Sequence, residues 1–443
     1  MNKTVFFTGL MLFSLFFGAG NLIFPPYLGM EAGDAFTPAI IGFNLTAVLL
    51  PLFTVIAIAL SKDGLETVGA RVHPLFGLVF AVIVYLAIGP LYVIPRAANV
   101  AYELGFVQVT NVETSLALFI FSVFFFLVTY LVSIRPQKML DIVGRVLTPL
   151  LLIVLTLLVV RAFFVYPYEP AAISEKYQAA PFLTGFWEGY FTLDAIAALA
   201  FGMVIVRTFQ MHGIQEKPAI LRGTIGAGAI AAIGLTLVYL SLAWVGRVLP
   251  FDQEVDNGAQ LLIIAAEQLF GYPGNILFGI IVLLACLTTA IGLITATSQF
   301  FVDILPKFSY KTYVRVFTLI GLGITNFGLE RILNAATPLL GFLYPVAIVL
   351  VALSLFQYKF GESPRMYQYS VSVAILFGVY DAIRSLGWVS NAFHEKLQFI
   401  PLIDNGIGWL VPFLFVAAIG YFLDRSQNRV KFSKDISPGA MNQ

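Results

Sequence analysis

Long apolar stretches separated by short polar segments run through the whole chain. Twelve reach membrane-spanning length, at about 4–28, 36–60, 75–99, 115–134, 144–165, 182–207, 221–248, 276–302, 313–329, 334–357, 368–388 and 403–423. About 20 apolar residues carry a helix across the hydrocarbon core. The runs are continuously apolar and do not alternate, so they predict helices and not barrel strands. The ninth is the shortest, and Asp381 and Arg384 interrupt the eleventh. The apolar character of the first run continues past residues 18–21, so a retained first span is expected, not a cleaved leader.

Composition agrees with the pattern. Hydrophobic residues make up 59% of the 443 and charged ones 11%, against about 25% charged in a soluble domain. The chain reads as an all-α polytopic membrane protein whose first partner is the lipid bilayer. The net charge of +1 offers no basic field for nucleic acid. Cys286 is the single cysteine, which excludes an intrachain disulfide and a cysteine metal site. Placing the N-terminus in the cytoplasm puts 18 Lys and Arg in inner segments and 7 in outer ones. That bias predicts an even number of spans with both termini inside. The segments 166–181 and 251–275 then lie outside. The second holds "LLIIAAEQLF", too short to span, which reads either as an outer lid or as a helix on the membrane surface. The tail after Asp424 is expected to be solvated.

The first run contains "FFGAGNLIFPP" (residues 16–26), a helix breaker inside an apolar segment. Unwinding in lipid frees backbone groups at several kcal/mol each. Two readings follow: a binding site built from half-helix ends, or a tight small-residue helix crossing. An inverted-repeat carrier would interrupt the sixth span as well. That span carries "GFWEGYFTLDAIAALAFG" (185–202), with the acid Asp194 in its interior. A carboxylate at a span centre costs roughly 2.5–3.5 kcal/mol, so Asp194 has a partner or a task, unless it caps a helix near the outer surface. In the eighth span Ala285, Thr288 and Thr289 stand at i, i+3 and i+4 on one face. They are candidate oxygen donors to a hard cation such as sodium, or hydroxyls that back-bond to their own helix.

The segments "MLFSLFFGAGNLIFPPYLG" (11–29) and "AIGPLYVIPRAA" (87–98) closely resemble the branched-chain amino acid:cation symporter family of BrnQ-type carriers. The resemblance implies bacterial uptake of leucine, isoleucine and valine by alternating access, driven by sodium or protons, in the cell membrane. It also implies a LeuT-type fold of 12 transmembrane helices. Its 5+5 inverted repeat would occupy 1–357 (repeats about 1–165 and 182–357), with helices 1 and 6 broken and two additional helices in 358–443. By the same resemblance, sodium falls on Ser14, Phe17, Ala285, Thr288 and Thr289. The substrate carboxylate falls on the N–H groups of Ala19 and Gly20, beside the Asn21 amide. The ammonium falls near Phe191, Thr192 and Asp194, where Asp194 replaces a neutral residue of related carriers. Ile88, Tyr92, Ala197, Phe201 and Leu293 are candidate walls for the apolar side chain. Such a wall separates ligands differing by one methylene by only about 1–3 kcal/mol, so all three substrates are expected to enter. No glycine lies between 190 and 201, which weakens the expectation of a sixth-span break. The seventh span has no asparagine for a second sodium. No basic residue lies between Arg145 and Arg161 to replace sodium, so sodium is favoured and a proton on Asp194 is the alternative.

A channel or a membrane enzyme is a weaker reading. No pore-lining charge ring or filter repeats. His73, His212 and His394 are scattered over loops on both sides, and no phosphate-binding loop occurs. No cofactor is expected beyond the coupling ion.

Overall fold

The computed structural model describes residues 3–60, 64–167, 172–190, 192, 194–250, 258–404 and 406–430. Helices account for every regular element among them, and helix covers the greater part of each of the twelve apolar stretches. Among the described residues eight helices are long and apolar enough to cross a membrane singly, or up to nine if the bent pair Tyr310–Thr325 and Leu329–Ala335 counts as one span. The first and sixth runs lose length because each is split. The third is longer than expected, running over Pro74–Thr110 instead of ending near 99. The helix of the eleventh run, Pro364–Ser385, passes through Asp381 and Arg384 without a break.

The chain gathers into two compact units, Met1–Ala59 with Tyr85–Ile332, and Leu60–Val84 with Leu333–Gln443. In the second unit, buried Asp424 accepts from Ser363 Oγ at 2.6 Å and from the Arg365 N–H at 2.8 Å. A carboxylate thereby satisfies donors at the amino end of Pro364–Ser385. Arg71 of the same unit donates to Tyr367 Oη at 2.8 Å.

The first unit is built around α1 (Lys3–Phe16) and α2 (Ala19–Ala32). The other elements of interest are α3 (Pro181–Tyr190), α4 (Asp194–Met211), α5 (Lys217–Val248), α6 (Gly258–Phe270) and α7 (Tyr272–Ile304). α2 and α5 pack backbone to backbone. A Cβ at Gly29 would lie 1.8 Å from the Ala243 carbonyl oxygen, and one at Gly246 would lie 1.9 Å from that of Pro26. Lipid gives helices no hydrophobic drive to associate, so close approach through small residues takes its place. α6 is the short apolar patch of the outer segment. Its buried face (Leu261, Leu262, Ala265, Leu269) and the seating of Gly258 on the Ile23 carbonyl show that protein covers it. Residues 251–257 of that segment and 431–443 of the tail lie outside the described residues.

The segment before α3 is tied to α2 by charge. Lys176 Nζ lies 3.3 Å from Glu31 Oε2 and also pairs with Glu188, while the Ser174 N–H donates to the Glu31 carbonyl at 2.9 Å. Burial disfavours the Lys176 ammonium, but the hydrogen bond and charge of Glu188, with Glu31 behind it, outweigh burial and hold its pKa above the usual lysine value.

Candidate functional site

α1 stops at Phe16 and α2 starts at Ala19. Between them the Gly18 N–H turns back to the Phe16 carbonyl at 2.8 Å, and Gly18 is extended (φ −105, ψ −165). The Ser14 and Leu15 carbonyls thus lose the N–H groups that a continuous helix would aim at them. Their partners come from α7. Thr288 Oγ1 lies 2.9 Å from the Ser14 carbonyl oxygen and 3.0 Å from that of Ala285. Thr289 Oγ1 donates to the Leu15 carbonyl at 3.0 Å. A Cβ at Gly18 would lie 3.1 Å from Thr289 Oγ1, so glycine lets the break sit directly on α7. Of the expected cation ligands, Ser14, Ala285, Thr288 and Thr289 stand around this junction, and Phe17 lies in the break itself. Phe17 continues the last turn through its N–H to the Phe13 carbonyl at 2.9 Å. Leu15, which sequence reasoning did not name, supplies a further carbonyl. The Ser14 hydroxyl is buried with no hydrogen-bond partner among the described residues.

The sixth run is also interrupted. α3 ends at Tyr190 and α4 begins at Asp194. Thr192 forms a turn between them, its Oγ1 donating to the Gly189 carbonyl at 2.8 Å. Phe191 lies outside the described residues. The break is present although no glycine lies between 190 and 201. The two breaks adjoin: the Thr192 carbonyl oxygen is 4.0 Å from where a Gly20 Cβ would stand.

Between the breaks, Asn21 Nδ2 donates to Asp194 Oδ2 at 2.7 Å and also to Tyr239 Oη of α5. Exposure is 2% for Asn21, 7% for Asp194 and 0% for Tyr239. Asp194 therefore sits at the amino end of α4, where a helix cap would stand, and is at the same time a buried partner of the first break. Tyr239 was invisible in the sequence, because an aromatic residue in an apolar run carries no local signal of its partners. Its nearest signal was position, one helix beyond the sixth-span break.

The candidate wall residues divide. Ile88, Tyr92, Phe201 and Leu293 are buried, and Ala197 is half-buried. Phe201 packs edge-on against Phe16 with centroids 5.4 Å apart. It also lies close to Gly292, so packing already accounts for it. Ile88 and Tyr92 belong to a third interruption. Gly89 (φ −87, ψ −123) breaks the helical path of the third run before Pro90. The Tyr85 carbonyl accepts there from Thr297 Oγ1 of α7 at 3.2 Å. The Gly-Pro pair at 89–90 was the available signal. Tyr92 Oη accepts from Arg96 at 3.2 Å.

The family model described as a branched-chain amino acid transport protein matches residues 1–427. The chain is 41% identical over 424 residues to the branched-chain amino acid permease BraB of Bacillus subtilis, covering 95% of each. It is 41% identical over 421 residues to the branched-chain amino acid transport system 2 carrier protein of Pseudomonas aeruginosa, covering 94% of this chain and 95% of that one. Among solved structures, a point mutant of the Eremococcus coleocola manganese transporter aligns with a TM-score of 0.59 at 14% identity, over 94% of this chain and 95% of that one. The nucleobase-cation-symport-1 transporter Mhp1 aligns at 0.52 and 14%, over 94% and 93%. At that identity the two structures speak for the fold alone.

Proposed function

The chain belongs to the branched-chain amino acid transport protein family and is a transporter, not an enzyme; from that premise we propose that it takes up leucine, isoleucine and valine, coupled to sodium, by alternating access in a bacterial cell membrane. The observation that carries this reading is the junction of the first break with α7. Ser14 and Ala285 carbonyls converge on one threonine hydroxyl at 2.9 and 3.0 Å, beside a second hydroxyl, a further carbonyl and a serine hydroxyl unpartnered among the described residues. This set of hard oxygens suits a small hard cation. In our reading sodium takes the place of the threonine–carbonyl hydrogen bonds and ties α1 to α7. The amino acid carboxylate meets the free N–H groups opening α2, the positive end of that helix. Its ammonium meets Asp194 and the carbonyl side of the second break.

The reading includes twelve spans in two inverted sets of five plus two, with repeats about 1–165 and 182–357, additional helices in 358–443 and both termini cytoplasmic. The adjoining breaks in the first and sixth runs support it, as does the excess of Lys and Arg in the inner segments.

Proteoliposome uptake of labelled leucine at clamped pH tests the coupling. An inward sodium gradient is expected to drive accumulation. Thr289→Val, which removes one hydroxyl and nearly preserves volume, is expected to lower apparent sodium affinity at least tenfold while the protein remains folded. Unchanged sodium affinity removes the proposed ion site. A second reading rests on Asp194, which is buried and paired with a neutral amide: uptake that ignores sodium and follows an inward pH gradient would make the proton the coupling ion.

A further inference from the structure

The Tyr239 side chain is fixed from several directions. Its ring stacks on Phe17 with centroids 6.5 Å apart at 28°, and meets Phe43 edge-on at 5.4 Å and 85°. Its oxygen accepts from Asn21 Nδ2. A phenol also carries one proton to donate. Among the described residues no acceptor takes it, and a buried O–H left unpaired is costly.

On the other side of the same amide stands the opposite chemistry. Asn21 Nδ2 donates to the Asp194 carboxylate at 2.7 Å. One nitrogen thus separates a buried anionic acceptor from a buried O–H donor. The two oxygens stand no more than about 6 Å apart, the span of two hydrogen bonds through that nitrogen. An α-amino acid presents an ammonium and a carboxylate on one carbon, which is the complement of this pair. All three side chains border the amino end of α2, where backbone N–H groups are free.

We propose that Tyr239 is a substrate-binding residue whose hydroxyl donates to the carboxylate of the transported amino acid, while Asp194 receives the ammonium and Asn21 sets their spacing. This rests on the amino acid transport reading of the same site and assigns it a donor from the seventh span. It makes the pair a selector for zwitterions over simple amines and simple carboxylic acids. The phenol proton finds its acceptor only when substrate is present, so its donation acts on affinity, whereas the bond that the same oxygen accepts from Asn21 belongs to the resting fold.

Tyr239→Phe removes the hydroxyl and keeps the ring between Phe17 and Phe43. Displacement of labelled leucine from purified full-length protein by leucine and by leucinamide, which lacks the carboxylate, measures the effect. Leucine is expected to bind roughly tenfold to a hundredfold more weakly to the variant, the loss of a hydrogen bond to a charged group. Leucinamide, whose neutral carbonyl is a weaker acceptor, is expected to lose distinctly less, about twofold to tenfold. In uptake the change falls on KM and not on the maximal rate. Equal weakening of both ligands, or unchanged leucine affinity, overturns the assignment. Site-specific 3-fluorotyrosine at 239 is the second arm if the phenylalanine variant does not fold. The more acidic phenol is expected to tighten leucine more than leucinamide, and no difference between them overturns the proposal. Leucine binding by the wild type tests the transport reading separately: protein that binds no branched-chain amino acid refutes both, whereas leucine binding without the ligand-dependent difference refutes only the role of Tyr239.

Discussion

Asp194→Asn is expected to abolish leucine accumulation while leaving a folded, membrane-inserted protein. The carboxylate is 7% exposed and hydrogen-bonded to Asn21 at 2.7 Å. The amide that replaces it has nearly the same shape, and a 180° turn of either amide restores a donor–acceptor pair with Asn21. What disappears is the only negative charge of the Asn21–Asp194–Tyr239 triad. If Asp194 receives the substrate ammonium, the variant leaves a desolvated cation without its partner, a loss of about 3–5 kcal/mol. Since each 1.4 kcal/mol is tenfold, leucine affinity should fall by a factor on the order of a hundred to a few thousand. Uptake in proteoliposomes, beside a thermal unfolding midpoint for both proteins, is the measurement. Accumulation within about threefold of wild type at equal expression would show that the acid is a helix cap and nothing more.

Gly29→Val is expected to have the largest effect on the fold. A Cβ there would lie 1.8 Å from the Ala243 carbonyl oxygen and 2.6 Å from its carbon. Backbone atoms cannot move aside as the end of a flexible side chain can. α2 would have to separate from α5, and the reciprocal contact of Gly246 on Pro26 would open with it. Overpacking a core typically costs about 1–3 kcal/mol and occasionally more, and a clash with main chain on both helices belongs at or beyond the top of that range. α2 and α5 carry Asn21 and Tyr239, so loss of this packing dismantles the site together with the fold. Gel filtration of detergent-solubilised protein should show aggregated or degraded material for Gly29→Val. Gly323→Ala, where nothing lies within 4 Å, should elute like wild type. A monodisperse Gly29→Val protein with normal leucine binding would contradict the packing described here.

Much of this site was legible because its causes are local. A glycine pair with an asparagine inside an apolar run marks a break, since the cost of freeing backbone groups in lipid makes such residues meaningful where they stand. Asp194 was legible for the same reason, as a charge in the wrong solvent. Thr288 and Thr289 were legible by helical spacing. The third interruption, at Gly89 and Pro90, went unread although its signal was equally local. The lack of glycine between 190 and 201 weakened the expectation of a sixth-run break, and the chain turns at Thr192 all the same.

The amino acid order by itself determined which segments are apolar enough to enter a membrane and where two of them fail as helices, because hydropathy and backbone permissiveness are properties of a residue and its immediate neighbours. Only the tertiary structure decided who answers the freed groups. Asn21 finds Asp194 across 173 residues and Tyr239 across 218, and the Leu15 carbonyl finds Thr289 across 274. A hydrogen bond requires placement to within a few tenths of an ångström. That precision comes from how α2, α4, α5 and α7 pack, through contacts such as Gly29 on Ala243, and not from any stretch of chain read alone.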